Sequence, residues 1–546
     1  MQAVRNLFGE GVIMQLYYTL TIYHILTACV HRIRNNNDEH AHLIISSAIP
    51  YDKKFINRIK ESNIFDVVEI INDDCTWSFG KNVNHKNHEE TLVPVLEHIA
   101  EHVFELLPLE IGEYTKIYNL AEHFPLGFSL AFKGYAYEYF EEAAGAHSRR
   151  SVLMDTLYHT NPFQYYVLTY TGCRGYGASI TIKHIDFNLQ LPDFDEPLIE
   201  HYSLSEQLSC LNKKEVAFIL SIFDTTYPST YDVVNDKKVA ILFGQHLANM
   251  KMCTFEEQET LYKMLTDYFA PDYKLFIKPH PNEKQHLYDT WLPKAMVLPS
   301  DLPSELLRYK VLSPLNRVIS LTSTTSLLNY PGNPETVTFQ SKDNRVEQEF
   351  LQMHYYYMLS LVVERLANNH TVDKVISLGA DTEQMRMFFK YHTSTDFDLI
   401  ESDEIQTDIK NTIVIIDKLK YTKQNKDNII ALLKRIEESN IILFINSDKD
   451  YIFYDFKSPS IIDTTTPLSI SINSRKECIY MFSKLESAHK VALSVRATKT
   501  LENCGVTIEI GTDFSNMREL YLEGLLDATE RELAKVQNEI ASLKNQ

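Results

Sequence analysis

The stretch Lys274-Leu275-Phe276-Ile277-Lys278-Pro279-His280-Pro281 ends an apolar run on a histidine held between two prolines. Proline fixes φ and donates no backbone hydrogen bond, so the turn is stiff and presents the imidazole instead of packing it away. A histidine so presented suits a phosphate, as proton donor or hydrogen-bond partner. Two more stretches fit an anion. Arg317–Leu321 runs into Thr322-Ser323-Thr324-Thr325-Ser326, where hydroxyls and free N–H groups converge at a helix start. Asp301-Leu302-Pro303-Ser304-Glu305 follows a short apolar run at Ala295–Leu298. Further back, Glu141 and Glu142 close the run Tyr135–Phe140 and offer a carboxylate that could take a proton. Taken singly these read as a surface turn, an ordinary helix cap and a solvated strand end. Their weight comes from common placement.

The elements around them supply that placement. Strand-like runs at Ile13–Tyr18, His42–Ser47, Val67–Ile71, Thr115–Leu120 and Tyr135–Phe140 alternate with helical patterns at Tyr23–Arg34, Lys53–Glu61 and Thr91–Leu107. Such alternation predicts a parallel sheet covered by helices. Arg150–Pro197 is irregular and rich in Gly, so loops and a short helix are expected there, then a helical passage over Ser203–Phe223. The stretch 224–230 reads as a linker. A second α/β unit follows, with strands at Val239–Phe243, Tyr273–Ile277, Ala295–Leu298 and Arg317–Leu321 and a helix over Thr254–Phe269 capped by Thr254. Gly244 and Gln245, Lys278 with His280 and Pro281, Glu305, and Ser323 with Thr324 all lie at or beyond strand ends of this unit. In α/β folds that is the ligand-binding edge.

A third α/β pattern begins near Val372, with strands at Val375–Leu378, Asp396–Ile400, Thr412–Ile416 and Ile441–Ile445 and a helix at Lys426–Ser439. Its glycine signal is Gly379 alone. The closing helix, Met517–Leu543, sets Leu520, Leu522, Leu525, Leu526, Leu533, Val536, Ile540 and Leu543 among charges, as in a short coiled coil or a packing helix. The expected architecture is therefore α/β: a pair of Rossmann-like domains over residues 1–225 and 238–360 facing a cleft, a third Rossmann-like domain over 372–510, and a terminal helix over 515–546.

With 546 residues the chain exceeds a single core. A net charge of −20 argues against nucleic acid as a partner, because neutralising phosphates needs surplus Lys and Arg. The seven cysteines form no CxxC pair, which fits a reduced cytosolic chain without structural zinc. Val12–Val30 is apolar but broken by Gln15, Thr19, Thr21, His24 and Thr27, so a buried strand and helix are expected, not a signal peptide or membrane span. The triplets Asp193-Phe194-Asp195 and Asp396-Phe397-Asp398 look like metal-binding DxD motifs, but 73 acidic residues make such triplets common by chance.

In this order and spacing the motifs resemble those of bacterial sialyltransferases of the two-Rossmann, GT-B kind, which use CMP-activated sialic acid. His280-Pro281 matches that group's HP motif and Ser323-Thr324 its Ser-Ser/Thr motif. Asp301–Leu307 resembles its Pro-x-Glu segment, whose glutamate, here Glu305, meets the donor nucleotide. Phe243-Gly244-Gln245 resembles the start of its donor domain. Glu141-Glu142 stands for the acidic motif, with Ala143 where that motif has glycine. The resemblance covers roughly residues 10 to 350 and implies an inverting glycosyltransferase that needs no metal or other cofactor. Glu141 would be the acceptor base, with Glu142 close behind it, and His280 would stabilise the departing phosphate. Gly244, Gln245, Lys278, Pro281, Glu305, Ser323 and Thr324 would line the nucleotide site. The implied partners are a CMP-sugar and a glycan or glycolipid acceptor in capsule or lipooligosaccharide synthesis. The expected location is the cytoplasm, peripheral to the inner membrane, with self-association through the terminal helix. Two other readings share these features: a CDP-glycerol or polyol phosphotransferase of teichoic-acid type, and a non-catalytic scaffold of a polysaccharide-assembly complex.

Overall fold

The computed structural model describes residues 14–35, 39–141, 150–187, 198–224, 238–245, 253–281, 285–311, 313–321, 332–338, 346–378, 382–394, 399–401, 410–417, 440–446, 465–472, 475–512 and 517–544, with a few isolated positions between them. Among these residues the strands form three sheets. The first holds β1 (Met14–Thr19), β2 (His40–Ser46), β3 (Val67–Ile71), β4 (Lys116–Asn119), β5 (Tyr137–Phe140), β6 (Ile180–Ile185) and β7 (Ile199–His201), in the order β3-β2-β1-β4-β5-β6-β7. Every pairing in it is parallel. Central β1 is buried at all six positions, as expected of a strand covered on both faces. The order reverses between β1 and β4, and a reversal of that kind opens a crevice at the strands' carboxyl ends.

The second sheet runs β10-β9-β8-β11-β12, from β8 (Val239–Phe243), β9 (Lys274–Lys278), β10 (Met296–Val297), β11 (Arg317–Ser320) and β12 (Glu335–Thr338). The β10–β9, β9–β8 and β8–β11 pairs are parallel, and the reversal lies between β8 and β11. The third sheet starts with β13 (Lys374–Leu378), β14 (Leu399–Glu401), β15 (Thr412–Asp417) and β16 (Ile441–Asn446), all parallel and close to the expected strands, while most of the expected strand Asp396–Ile400 and the expected helix Lys426–Ser439 lie outside the described residues. It continues antiparallel through β17 (Thr465–Ile472), β18 (Arg475–Ser483), β19 (Ala497–Leu501) and β20 (Val506–Thr512). This half is absent from the sequence reading; Thr465–Ile472 and Ala497–Leu501 mix apolar and hydroxyl residues too evenly to stand out.

Contacts divide the chain into two compact units. One joins both of the first sheets, over Met1–Gln245, Tyr273–Asp289 and Lys294–Thr336; the other takes His246–Asp272, Thr290–Pro293 and Val337–Gln546. The helix Phe255–Phe269 thus groups with the third sheet. There Asp267 accepts from the Asn503 and Cys504 amides of the β19–β20 turn, at 3.1 and 3.2 Å. Thr254 caps this helix as expected, in a capping box with Glu257. A long helix at Val346–Asn369 has no counterpart in the sequence reading. Arg150–Thr160 and Pro162–Thr171 are both helices where loops and one short helix were expected; Asn161 caps the second and Pro162 starts it.

Inside the first unit one hydrophobic core runs from Ile25, Phe55 and Phe223 on the first sheet's helices to Val239, Ile241, Phe276 and Leu306 of the second, and another packs Leu16, Tyr18, Leu96 and Phe128. Asp224 and Ser229, from the stretch expected to be a linker, are anchored here. Asp224 forms a 2.6 Å ion pair with Lys310, and both side chains are almost wholly buried. Lys310 also donates to the Ser229 carbonyl. Arg58 donates to the Ile222 carbonyl at 2.6 Å and Tyr309 to that of Leu208 at 2.9 Å.

Candidate active site

The HP turn is built from below. Strand β9 delivers Lys278 into the interior, 3% exposed, where its ammonium donates to the carbonyls of Pro279 (2.8 Å) and Ser300 (3.0 Å). Burial pushes this amine down to about 8, against the pull of the carboxylates of Glu305, Asp301 and Glu283. Lys278, expected to line the nucleotide site, spends its donors on the scaffold and ties the end of β9 to the loop after β10. His280 above it is half-buried and Pro281 is exposed.

Glu283 fixes the histidine's backbone. Its buried carboxylate accepts from the His280 amide at 2.9 Å and from the Tyr288 hydroxyl at 2.6 Å, and its own amide donates to the His280 carbonyl at 2.9 Å. The amide of Gly244 donates to the Lys278 carbonyl at 2.9 Å, so the turn after β8 lies against the HP turn. A Cβ on Gly244 would stand 2.2 Å from Tyr288 Oη and 2.6 Å from Glu283 Oε2. Only glycine fits that approach. Gln245 beside it is half-buried. Sequence reading missed Glu283 and Tyr288; the signal was a carboxylate three residues after the histidine, placed to close a turn on it.

Glu305 sits in a 3-10 turn, Ser304–Leu306, in a recessed position. Burial raises its carboxyl above the ordinary range, partly offset by hydrogen bonding to its own backbone and by the charge of Lys278. Ser323, Thr324 and Glu142 lie outside the described residues, as do both DxD triplets. Glu141 is described and buried at the end of β5. Its amide donates to the His184 carbonyl at 3.1 Å, and its Oε2 accepts from the Asp186 amide at 3.4 Å.

Tyr23 connects the two edges. It starts the helix Ile22–Asn35, just past the end of β1 and beside the point where the strand order reverses. His24 shapes that turn, with Nδ1 accepting from the Leu20 and Thr21 amides at 3.2 and 3.4 Å. Burial raises the Tyr23 phenol well above its ordinary value, and so do Glu305, Glu141, Tyr202 and Asp186. The Tyr23 phenol thus lies within electrostatic reach of Glu141 at the first sheet and of Glu305 at the second. In sequence Tyr23 was one apolar helix position among several; only the topology singles it out.

Among the described residues no three His, Cys, Asp or Glu side chains converge as metal ligands, and no helix is long and apolar enough to cross a membrane. The arrangement offers a buried carboxylate on one edge, a braced histidine and a glutamate whose carboxyl burial shifts upward on the other, and a phenol that feels both carboxylates. That set can remove a proton from a hydroxyl and stabilise a leaving phosphate.

Residues 190–340 match the family model of glycosyltransferase family 52. The match spans Gly244, His280, Glu305, Ser323 and Thr324 and stops short of Glu141. No curated protein matches the chain. Among solved structures it is similar to an α/β-galactoside α-2,3-sialyltransferase of Photobacterium phosphoreum, at 12% identity and a TM-score of 0.36 over 63% of this chain and 95% of that one. It is similar to the UDP-GlcNAc 2-epimerase of Neisseria meningitidis, at 11% identity and 0.36 over 63% and 92%. A sialyltransferase of Photobacterium damsela follows at 10% and 0.30 over 62% and 78%. Likenesses of this size fix neither donor nor acceptor.

Proposed function

We propose, from the premise that residues 190–340 carry a glycosyltransferase family 52 segment, that this glycosyltransferase moves a sialic acid or related nonulosonic acid from a CMP-activated donor to a sugar hydroxyl of a surface glycan, with inversion. The observation that supports the reading is the His280 turn, whose backbone the buried Glu283 carboxylate holds at 2.9 Å, with Glu141 and Glu305 both within electrostatic reach of Tyr23. A transfer of this kind needs an acceptor base on one side and a phosphate site on the other.

The chemistry divides accordingly. Glu141 takes the proton of the acceptor hydroxyl as its oxygen bonds to the anomeric carbon. The bond from that carbon to the phosphate oxygen breaks, and CMP leaves with the electron pair. His280 hydrogen-bonds or protonates the departing phosphate, assisted by Ser323 and Thr324. Glu305 and the Gly244–Gln245 turn hold the nucleotide. Lys278, Glu283 and Tyr288 keep the turn in place without touching substrate. The scheme calls for no metal, because CMP departs with one phosphate whose charge protein donors can carry. The acceptor is a capsule or lipooligosaccharide chain, reached from the cytoplasmic side of the inner membrane.

The test is incubation of the full chain with CMP-sialic acid and, separately, with CDP-glycerol, following CMP release. The account predicts release from CMP-sialic acid that rises with glycan acceptor. Consumption of CDP-glycerol alone would make the protein a polyol phosphotransferase, and turnover of neither donor with no CMP binding would leave the scaffold reading.

A further inference from the structure

The terminal helix Met517–Lys544 runs 28 residues, and its described apolar side chains point at solvent. Leu522, Leu526, Leu533, Val536 and Ile540 are each about half exposed, from 47% to 61%. Most helical stability in proteins comes from packing an apolar face, and the described side chains of this helix supply none of it within the chain.

The spacing of these residues identifies what covers them. From Leu522 the steps run four, three, four, three, four to Leu526, Thr529, Leu533, Val536 and Ile540. This is a heptad seam with Leu526, Leu533 and Ile540 at a and Leu522, Thr529 and Val536 at d, and a helix with that 3.5-residue repeat pairs with other helices like itself. Charge points the same way. With the chains parallel, Glu532 at g meets Gln537 at e, and the sequence puts Lys544 at the e position opposite Glu539. No like charges are opposed. The antiparallel alternative sets Glu532 against Glu539. The flanks hold Glu530, Glu532 and Glu539 against Arg531 and Lys535, an acidic balance that an anionic lipid surface repels, whereas helices that lie on membranes carry basic flanks.

We propose that this helix assembles further copies of the chain into a parallel coiled coil. Leu at a with β-branched Thr529 and Val536 at d favours more than two strands. The inference is independent of the donor or acceptor chosen above, because the helix carries no residue of the candidate active site.

Sedimentation equilibrium of the full chain tests it. The wild type should give a multiple of the 63.3 kDa single-chain mass and dissociate on dilution. Leu533→Asp should sediment as a single chain with unchanged CMP release. Thr529→Ile, which fills the weakest seam position, should hold the assembly together at greater dilution. A wild type that stays at 63.3 kDa at high concentration would overturn the proposal. So would an L533D variant that keeps the wild-type mass, or a wild type that is a single chain in solution and co-sediments with phosphatidylglycerol vesicles.

Discussion

Glu141 at the first sheet's edge and His280 at the second's are held differently. Glu141 ends its strand with the Asp186 amide donating to its carboxylate. His280 stands on a buried frame in which Lys278 ties two loops together, Glu283 closes the turn, Tyr288 buttresses Glu283 and Gly244 makes room. The difference matches the two tasks proposed for them. A leaving phosphate gains charge at a fixed point, and donors held there in advance lose nothing to reorganisation. An acceptor hydroxyl arrives on a separate molecule, and a base meeting it needs reach and a suitable pKa more than a rigid mount.

The largest expected effects fall on the reactive groups themselves. Glu141→Gln and His280→Ala should each lower turnover by about 10²–10⁴-fold with melting temperatures near that of the wild type. Near-wild-type turnover in either variant would remove that side of the comparison. The frame comes next, through pH. The unfolded Lys278 holds its proton to about 10.5, but the folded one only to about 8. Unfolding therefore grows harder as pH rises from 8 to 10.5, and the gain disappears as pH falls back through 8. At about 1.4 kcal/mol per pKa unit the gain is about 3 kcal/mol, and Lys278→Met should abolish it. Denaturation of both proteins across that window, compared as a difference, reads it directly.

A smaller loss is expected from Gly244→Ala, whose methyl collides with Tyr288 and Glu283. Overpacking of this kind costs about 1–3 kcal/mol, and urea unfolding should show it together with weaker CMP binding. Smallest is Tyr288→Phe, which removes one hydrogen bond to Glu283 and should cost about 1 kcal/mol. If Tyr288→Phe instead matched His280→Ala in turnover, Tyr288 would be part of the chemistry and not of its mount.

Much of the fold around these groups was legible in the sequence, and for identifiable reasons. Val67–Ile71, Lys53–Glu61 and Val239–Phe243 fall where their periodicity puts them, because buried parallel strands and amphipathic helices write their burial into the chain. The HP turn was visible because proline constrains a backbone locally. What escaped depends on distant partners. Lys278 reads as a phosphate ligand until the Ser300 carbonyl is found beneath it. Asp224 reads as a linker residue until Lys310, far along the chain, neutralises it in the interior. Tyr23 gains significance only once the fold brings its phenol within electrostatic reach of Glu141 and Glu305. The family match covers His280, Glu305, Ser323 and Thr324 and leaves Glu141 outside, so the role proposed for Glu141 rests on geometry and chemistry alone.

Calorimetric titration of CMP into the wild type, His280→Ala and Glu141→Gln tests the division between the edges most directly. The account predicts that His280→Ala loses CMP affinity while Glu141→Gln binds CMP as the wild type does. Loss of CMP binding in Glu141→Gln with retention in His280→Ala would contradict it, since the nucleotide would then sit on the first sheet's edge.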